Sequence, residues 1–451
     1  MPRMTSFHIE TYGCSHNFAD SEQMAGLLKQ AKFELKEKLE EADIVVFNTC
    51  TVKGPTESAF FTRLSEIKNN YPYKIIIIAG CIPQADPEKL AKFSLLGTRN
   101  IHHIVEVVEE ALNNNVIKML ETGEMPPLNL PKVRKNPVVE IIPINRGCLS
   151  SCTFCKTKQA RGNLESYAVK DIVEVAEKAV REGVKEIWLT SQDTLCYGFD
   201  IGTNLPTLLR ELIKIPGEYK IRIGMGNPIH LKRIKEELFP LMKHEKIFKF
   251  LHIPIQTGSN AVLKHMHRGN TREEYLAYVD ELKTLHPELT LATDIIVGYP
   301  TETEQDFADT QKLLREISPD VVNISKFWPR AKTPAAKLSP LPTETVAHRS
   351  KLITDSFHNI SLLQNERWIG WEGEIIIDEK GREMSEVNKA SEVGKASEVG
   401  ETNQRKVQQW IGRNPSYKPV IVEGYFKLGD VVKVKIERAT VFDLRGKVEE
   451  R

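Results

Sequence analysis

Along the first third of the chain, short apolar runs alternate with segments of helical period. Residues 7–11 read as a strand, 21–30 as a helix, 44–48 as a buried strand, 56–69 as an amphipathic helix and 75–79 as another buried strand. This alternation predicts a parallel sheet with helices on its faces. A Pro-rich stretch from Pro126 to Pro137 then reads as a linker. The alternation resumes at Val138, with strand-like runs at 139–144, 186–190, 220–223, 250–253, 289–297 and 321–327 and helical segments such as 169–181 and 304–316 between them. Six such units predict a partial, open barrel rather than a closed eight-stranded one. From Trp368 the pattern changes to short β-rich runs at 373–378, 419–423 and 431–439, which predict a small β-barrel. An imperfect six-residue repeat, Ser-Glu-Val-Asn-Lys-Ala from Ser385 and its variants from Ser391 and Ser397, is too polar and too short to build a core. The expected organisation is an α/β fold with an N-terminal domain at 1–125, a linker at 126–137, a barrel domain at 138–366 and a β-barrel at 367–451. The last of these would carry a flexible insertion at 379–403.

Charge adds little at the scale of the whole chain. With 62 Lys and Arg against 61 Asp and Glu, no global field draws it to nucleic acid or membrane. The first eleven residues lack the apolar core of a signal peptide, and the longest apolar run, 75–79, falls far short of the ~20 residues that span a bilayer. A cytoplasmic protein without a membrane partner is expected. From Gln404 onward, however, eleven Lys and Arg face six acids, interleaved with Trp410, Tyr417, Tyr425 and Phe426. Such a patch suits RNA phosphates and unpaired bases, although basic β-barrel faces are often merely solvated.

The seven cysteines carry the chemistry. An odd number argues against a disulfide framework and for metal ligation or redox work. Cys148, Cys152 and Cys155 stand at C-x3-C-x2-C spacing just after the first strand of the barrel pattern. Three thiolates so spaced can hold three irons of a cubane, leaving the fourth open to a small molecule. In this arrangement the amino and carboxylate groups of S-adenosylmethionine (SAM) chelate that iron, and an electron from the cluster releases a 5′-deoxyadenosyl radical. Phe154 would pack beside the cofactor. A zinc site would need a fourth ligand, for which Cys196 is the one candidate. Cys14, Cys50 and Cys81 each follow the end of a predicted strand, the edge where open parallel sheets bind ligands. The alternative for these three is buried free cysteine.

The segments Thr11-Tyr-Gly-Cys14-Ser-His-Asn17 with Asp20 and Glu22, Asn48-Thr-Cys50-Thr-Val52 and Ala79-Gly-Cys81-Ile-Pro-Gln84 resemble the methylthiotransferases of the radical SAM superfamily, and the likeness extends over nearly the whole chain. That resemblance implies a second [4Fe–4S] cluster on Cys14, Cys50 and Cys81 that carries the sulfur to be inserted, and a C-terminal RNA-binding TRAM domain. Cys155-Lys-Thr-Lys-Gln-Ala-Arg-Gly-Asn-Leu-Glu-Ser-Tyr167 is similar to the archaeal and eukaryotic branch acting on N6-threonylcarbamoyladenosine in tRNA. The family pattern points to Gln192, Asp193, Gln256 and Asp294 as SAM contacts, although polar strand ends and helix caps would look the same; Thr301 replaces a usual glycine. Lys156, Lys158 and Arg161 are the candidate cations for the threonyl carboxylate, with Arg146 a further possibility for that group or for SAM. The implied partners are tRNA, a sulfur donor of unspecified kind and an electron donor such as a flavodoxin or ferredoxin. The competing readings are a methylthiotransferase for another adenosine or a ribosomal protein side chain, and a non-catalytic iron–sulfur protein that binds RNA and senses redox state. Cys196 reads as incidental.

Overall fold

The computed structural model describes residues 4–52, 54–120, 123–385 and 406–449. Six parallel strands, β1 (Ser6–Thr11), β2 (Glu34–Leu35), β3 (Ile44–Thr49), β4 (Ile75–Gly80), β5 (Ser94–Leu96) and β6 (Lys118–Met119), form the N-terminal sheet in the order β2-β1-β3-β4-β5-β6. Helices α1 (Ser15–Gln30), α2 (Gly54–Asn70), α3 (Cys81–Ala85) and α4 (Ile104–Leu112) connect them. β3 is apolar along most of its length because both of its faces are covered. One face packs Met24, Leu28, Val107 and Val108, the other Phe60, Leu64 and Ile67.

α1 starts six residues before the predicted 21–30. Its first turns carry His16, Asn17, Asp20, Ser21, Glu22 and Gln23, all buried, so their polarity hid the helix from a hydrophobic-period reading. His16 and Asp20 face the second domain, Glu22 and Gln23 the linker, and Ser21 bonds within the N-terminal domain. The linker runs along this helix, with the Val133 amide donating to Glu22 O (2.9 Å) and the Lys135 amide to Glu22 Oε1 (2.9 Å).

The second domain opens with β7 (Val139–Pro143), then a short antiparallel pair, β8 (Asn145–Arg146) and β9 (Glu165–Ser166), that brackets the cysteine loop and helix α5 (Thr157–Arg161). Strands β10 (Glu186–Thr190) and β11 (Lys220–Ile223) complete a sheet ordered β11-β10-β7, while β12 (Phe250–His252), β13 (Thr290–Val297) and β14 (Val321–Lys326) form a second. All six main strands run parallel. The two sheets meet where Ile221 pairs with Ile247, the Phe248 amide donating to Ile221 O at 3.0 Å. This is the partial barrel that the periodicity predicts. Helices α6 (Val169–Arg181), α7 (Leu205–Leu212), α8 (Leu231–Leu241), α9 (Asn260–His265), α10 (Arg272–Leu285) and α11 (Glu304–Ile317) follow the strands, and the long α12 (Thr343–Glu366) leads out.

Five strands, β15 (Glu372–Ser385), β16 (Lys406–Arg413), β17 (Pro419–Glu423), β18 (Val431–Ala439) and β19 (Leu444–Val448), close a barrel in the order β15-β16-β17-β19-β18 around Ile375, Ile377, Val420, Val434 and Ile436. The insertion expected from 379 starts later, because 379–385 continue β15 through backbone pairing with β16 across two bulges. The remainder of that insertion, and most of the repeat, lies outside the described residues.

Two residues of the expected RNA-binding patch, Lys418 and Tyr417, hold this barrel to its neighbour instead, and a third is spent inside it. Lys418 is buried on Asp320 (2.7 Å), while Arg413 pairs with Asp378 of β15 (2.9 Å). The Tyr417 ring fits between Trp188, Phe248 and Phe250 under the guanidinium of Arg222. Tyr425, 97% exposed, remains on the surface.

Candidate functional site

The loops after β1, β3 and β4 bring Cys14, Cys50 and Cys81 to one edge of the N-terminal sheet. Two glycines let them approach. Gly13 has φ +106°, and a Cβ there would sit 2.5 Å from that of Cys50; Gly80 has φ +93° and would meet Asn48 Oδ1 at 2.4 Å. Asn17 Oδ1 lies 4.0 Å from Cys14 Sγ and 3.9 Å from Cys81 Sγ. Its amide nitrogen fixes it by donating to the carbonyls of Tyr12 (2.9 Å) and Thr49 (2.8 Å). Burial pushes the Cys50 thiol up to about 12 and raises Cys81 as well, while the charge of Arg161 pulls both down. Buried thiols of this kind ionise when a metal takes the place of the proton.

Directly behind this edge, α1 meets the cysteine loop of the second domain. Asp20 accepts from Arg146 Nη2 and Arg161 Nη2, both at 2.9 Å. Arg146 also donates to Tyr167 Oη (3.1 Å) and Thr98 O (2.6 Å), and Lys156 is buried on Asp86. These contacts correct the expectation for the substrate cations. Arg146, Lys156 and Arg161 are paired with carboxylates of the N-terminal domain and hold the two domains together. Of the three original candidates, Lys158 is the half-buried one, and it donates to the Cys148 carbonyl beside the loop.

Cys148, Cys152 and Cys155 curl over the C-terminal end of the partial barrel. Cys148 Sγ lies 3.6 Å from Asp193 Oδ2 and accepts from the Ser150 amide (3.2 Å). The neighbouring Cys196 thiol, with burial opposing, holds Cys148 below its ordinary value. Cys196 is therefore not incidental: buried after β10, it donates to Asp193 O (3.2 Å). Arg268, just after α9, donates from Nη1 to Cys152 Sγ (3.4 Å). Thr153 pins the loop through its hydroxyl to His265 O (2.9 Å) and Tyr299 Oη (2.9 Å). Phe154, expected beside the cofactor, packs with Val262, Met266, Tyr299 and Ala335 and anchors the loop.

Of the expected SAM residues, Gln192 and Asp193 follow β10 and Gln256 follows β12, while Asp294 lies within β13. Gln192 accepts from the Gly147 amide (2.8 Å) and donates to His16 Nδ1 (3.1 Å), which ties the cysteine loop to α1. Asp193 accepts from the Asn227 amide (2.9 Å) and stands 3.2 Å from His230 Nε2. Asp294 Oδ1 meets His252 Nε2 and Asn323 Nδ2, each at 2.8 Å. Gln256 holds φ +81°, a strained backbone for a side chain of that size and one that marks functional sites.

Among the described residues, the set of three ligand-type atoms lying within 4.8 Å of one another is Asp193, Cys196 and His230. Neither cysteine trio meets that limit. Each trio could hold three irons, the first on Cys14, Cys50 and Cys81, the second on Cys148, Cys152 and Cys155.

Comparison with known proteins bears on both sites. A human threonylcarbamoyladenosine tRNA methylthiotransferase is 42% identical over 390 residues, covering 84% of this chain and 67% of the human one. That of Drosophila melanogaster is 39% identical over 99% of this chain and 78% of its own length, and a probable one of Pyrococcus horikoshii is 41% identical over 84% and 90%. The chain belongs to the radical SAM methylthiotransferases, in the archaeal and eukaryotic threonylcarbamoyladenosine branch. Three family profiles divide this methylthiotransferase: Uncharacterized protein family UPF0004 over residues 6–96, Radical SAM superfamily over 142–314 and TRAM domain over 391–448. Two solved structures share the fold. The cobalamin-dependent radical SAM enzyme OxsB matches with a TM-score of 0.51 at 15% identity over 78% of this chain and 56% of its own. The radical SAM methyltransferase TsrM of Kitasatospora setae matches with 0.52 at 13% identity, over 72% and 73%. Among the described residues, no helix of the methylthiotransferase is long and apolar enough to cross a membrane.

Proposed function

We propose that the chain adds a methylthio group to C2 of N6-threonylcarbamoyladenosine beside the anticodon of tRNA. The observation that carries this reading is the meeting of two cysteine trios, one from each parallel sheet, across a single buried polar junction, in a chain about 40% identical to enzymes named for this reaction. When bound, the cluster on Cys148, Cys152 and Cys155 supplies the electron that cleaves SAM, and the one on Cys14, Cys50 and Cys81 supplies the site at which sulfur is carried.

The protein's own part is placement. Asp193 and Gln192, which contact the cysteine loop, together with Gln256 and Asp294 would orient the polar groups of SAM by hydrogen bonds. Lys158 is the proposed partner of the threonyl carboxylate, since burying that group beside no cation would be costly. Tyr425 and the basic residues Lys427, Lys433 and Lys435 on the C-terminal barrel would contact tRNA. A flavodoxin or ferredoxin is the proposed electron donor.

Reconstituted protein with SAM, reductant and a sulfur source tests the reading. tRNA carrying threonylcarbamoyladenosine is expected to gain a methylthio group, and tRNA carrying isopentenyladenosine to be a poor substrate. The reverse preference would overturn the branch-specific part of the proposal. Lys158→Met is expected to lose the product while still cleaving SAM.

A further inference from the structure

The buried junction between the two domains holds an unbalanced charge. Asp20, Arg146 and Arg161 have side-chain exposures of 0%, 2% and 1%, so two guanidinium cations share one carboxylate out of contact with water. Arg146 spends all three nitrogens, on Tyr167, Thr98 and Asp20. Arg161 does not. Its Nη2 donates to Asp20 Oδ2 (2.9 Å) and Asn17 Oδ1 (2.8 Å) and its side chain also reaches the Cys81 thiol, but its buried Nη1 has no nitrogen or oxygen partner. The Asn17 oxygen that fixes this guanidinium lies within 4.0 Å of Cys14 Sγ and 3.9 Å of Cys81 Sγ. An unpaired charged donor so deeply buried calls for an anion.

We propose that Arg161 is the anion-holding donor of the N-terminal cluster site, its Nη1 directed to an anionic sulfur of the hydrosulfide class bound opposite Cys14, Cys50 and Cys81. The proposal rests on the reading that these three cysteines hold a cubane. Three thiolates on a core of charge +2 carry a net −1, and a fourth, anionic sulfur ligand gains a charge-assisted hydrogen bond from Arg161. Hydrosulfide would take the open iron in place of a water molecule, one iron–sulfur bond forming as one iron–oxygen bond breaks, with no change of oxidation state. Arg161 thus selects and retains the sulfur to be transferred rather than the threonyl carboxylate.

The test uses the full chain with Cys148, Cys152 and Cys155 replaced by Ala, reconstituted anaerobically so that about four irons remain per chain. Sodium sulfide is titrated against the electron paramagnetic resonance signal of the reduced cluster, and the midpoint potential is measured alongside. Arg161→Met is expected to keep its iron, bind sulfide about tenfold or more weakly and show a lower potential, with Arg161→Lys recovering much of both. Asp20→Asn leaves two cations unopposed and is expected to tighten sulfide binding, an outcome that a purely structural role for the junction would not give. Unchanged sulfide affinity and potential in Arg161→Met, or weaker binding in Asp20→Asn, overturns the proposal. An iron-free parent would instead overturn the cluster reading beneath it.

Discussion

Lys156 shows how residue-level expectation and structure part company. Three basic side chains following a cofactor loop read naturally as substrate cations, because sequence shows no carboxylate nearby to claim them. The partners are distant along the chain: Asp86 is 70 positions from Lys156, and Asp20 is 141 from Arg161. Burial alone would raise the Asp86 carboxyl, but Lys156 and Lys89 hold it below its ordinary value. Lys156→Met should therefore act on stability first. A loss of about 1–3 kcal/mol is expected, at the lower end because Lys89, 3.1 Å away, still faces Asp86. The stabilisation from Asp86 is present above the unfolded carboxylate range and disappears as pH falls through its depressed folded value. Urea melts at neutral and acidic pH would check this: the Lys156→Met deficit should shrink in acid. Cys196 makes the same point from the other side, since a lone cysteine in sequence carries no sign that it lies beside Cys148 and lowers its pKa. Cys196→Ala is expected to slow SAM cleavage about tenfold, the scale of one hydrogen bond to a charged group, and Cys196→Ser to recover most of the rate. Equal rates for all three proteins would remove Cys196 from the account.

At the scale of elements, strands with a strong apolar period were legible to within one residue at either end, as β10, β11, β17 and β18 show. Those held by other forces were not. β16 runs Lys-Val-Gln-Gln-Trp-Ile-Gly-Arg, too polar to read as a strand, and is built by backbone pairing on both sides. The first turns of α1 are hidden by polar residues, some of which face another domain or the linker. The docking of the C-terminal barrel is a further case. There Glu186 on β10 and Asp378 on β15 are buried near each other with Arg413, Arg222, Tyr417 and Trp188. Burial, and then the neighbouring Asp378 charge, push the Glu186 carboxyl well above its ordinary value, and burial raises Asp378 too. A raised folded pKa gives stability that is complete below the unfolded carboxylate range and is lost as pH rises through the folded value. The thermal midpoint of the whole chain should accordingly fall from weakly acidic to alkaline pH, and Glu186→Gln should flatten that slope. A Glu186→Gln protein that keeps the wild-type slope would place the titrating group elsewhere.

For the whole molecule, the three-part order and both cysteine trios follow from strand ends and spacing alone, because each trio lies where a parallel sheet presents its ligand-binding edge. What spacing could not give is the relation between the trios, which depends on α1 packing against the loop from β7 to α6 through Asp20, Arg146, Arg161, His16 and Gln192. Division of labour follows from that relation. Cys14, Cys50 and Cys81 replaced together by Ala should leave SAM cleavage in place and abolish sulfur insertion, and replacing Cys148, Cys152 and Cys155 should abolish both, with iron content halved in each case. The central claim is most directly tested by nucleoside mass spectrometry of tRNA from cells lacking this chain. The account predicts loss of the methylthio form of threonylcarbamoyladenosine and accumulation of its unmodified precursor, reversed by the wild-type chain and not by Cys148→Ala. An unchanged methylthio-threonylcarbamoyladenosine level in those cells, or loss of the methylthio form of isopentenyladenosine in its place, would contradict it.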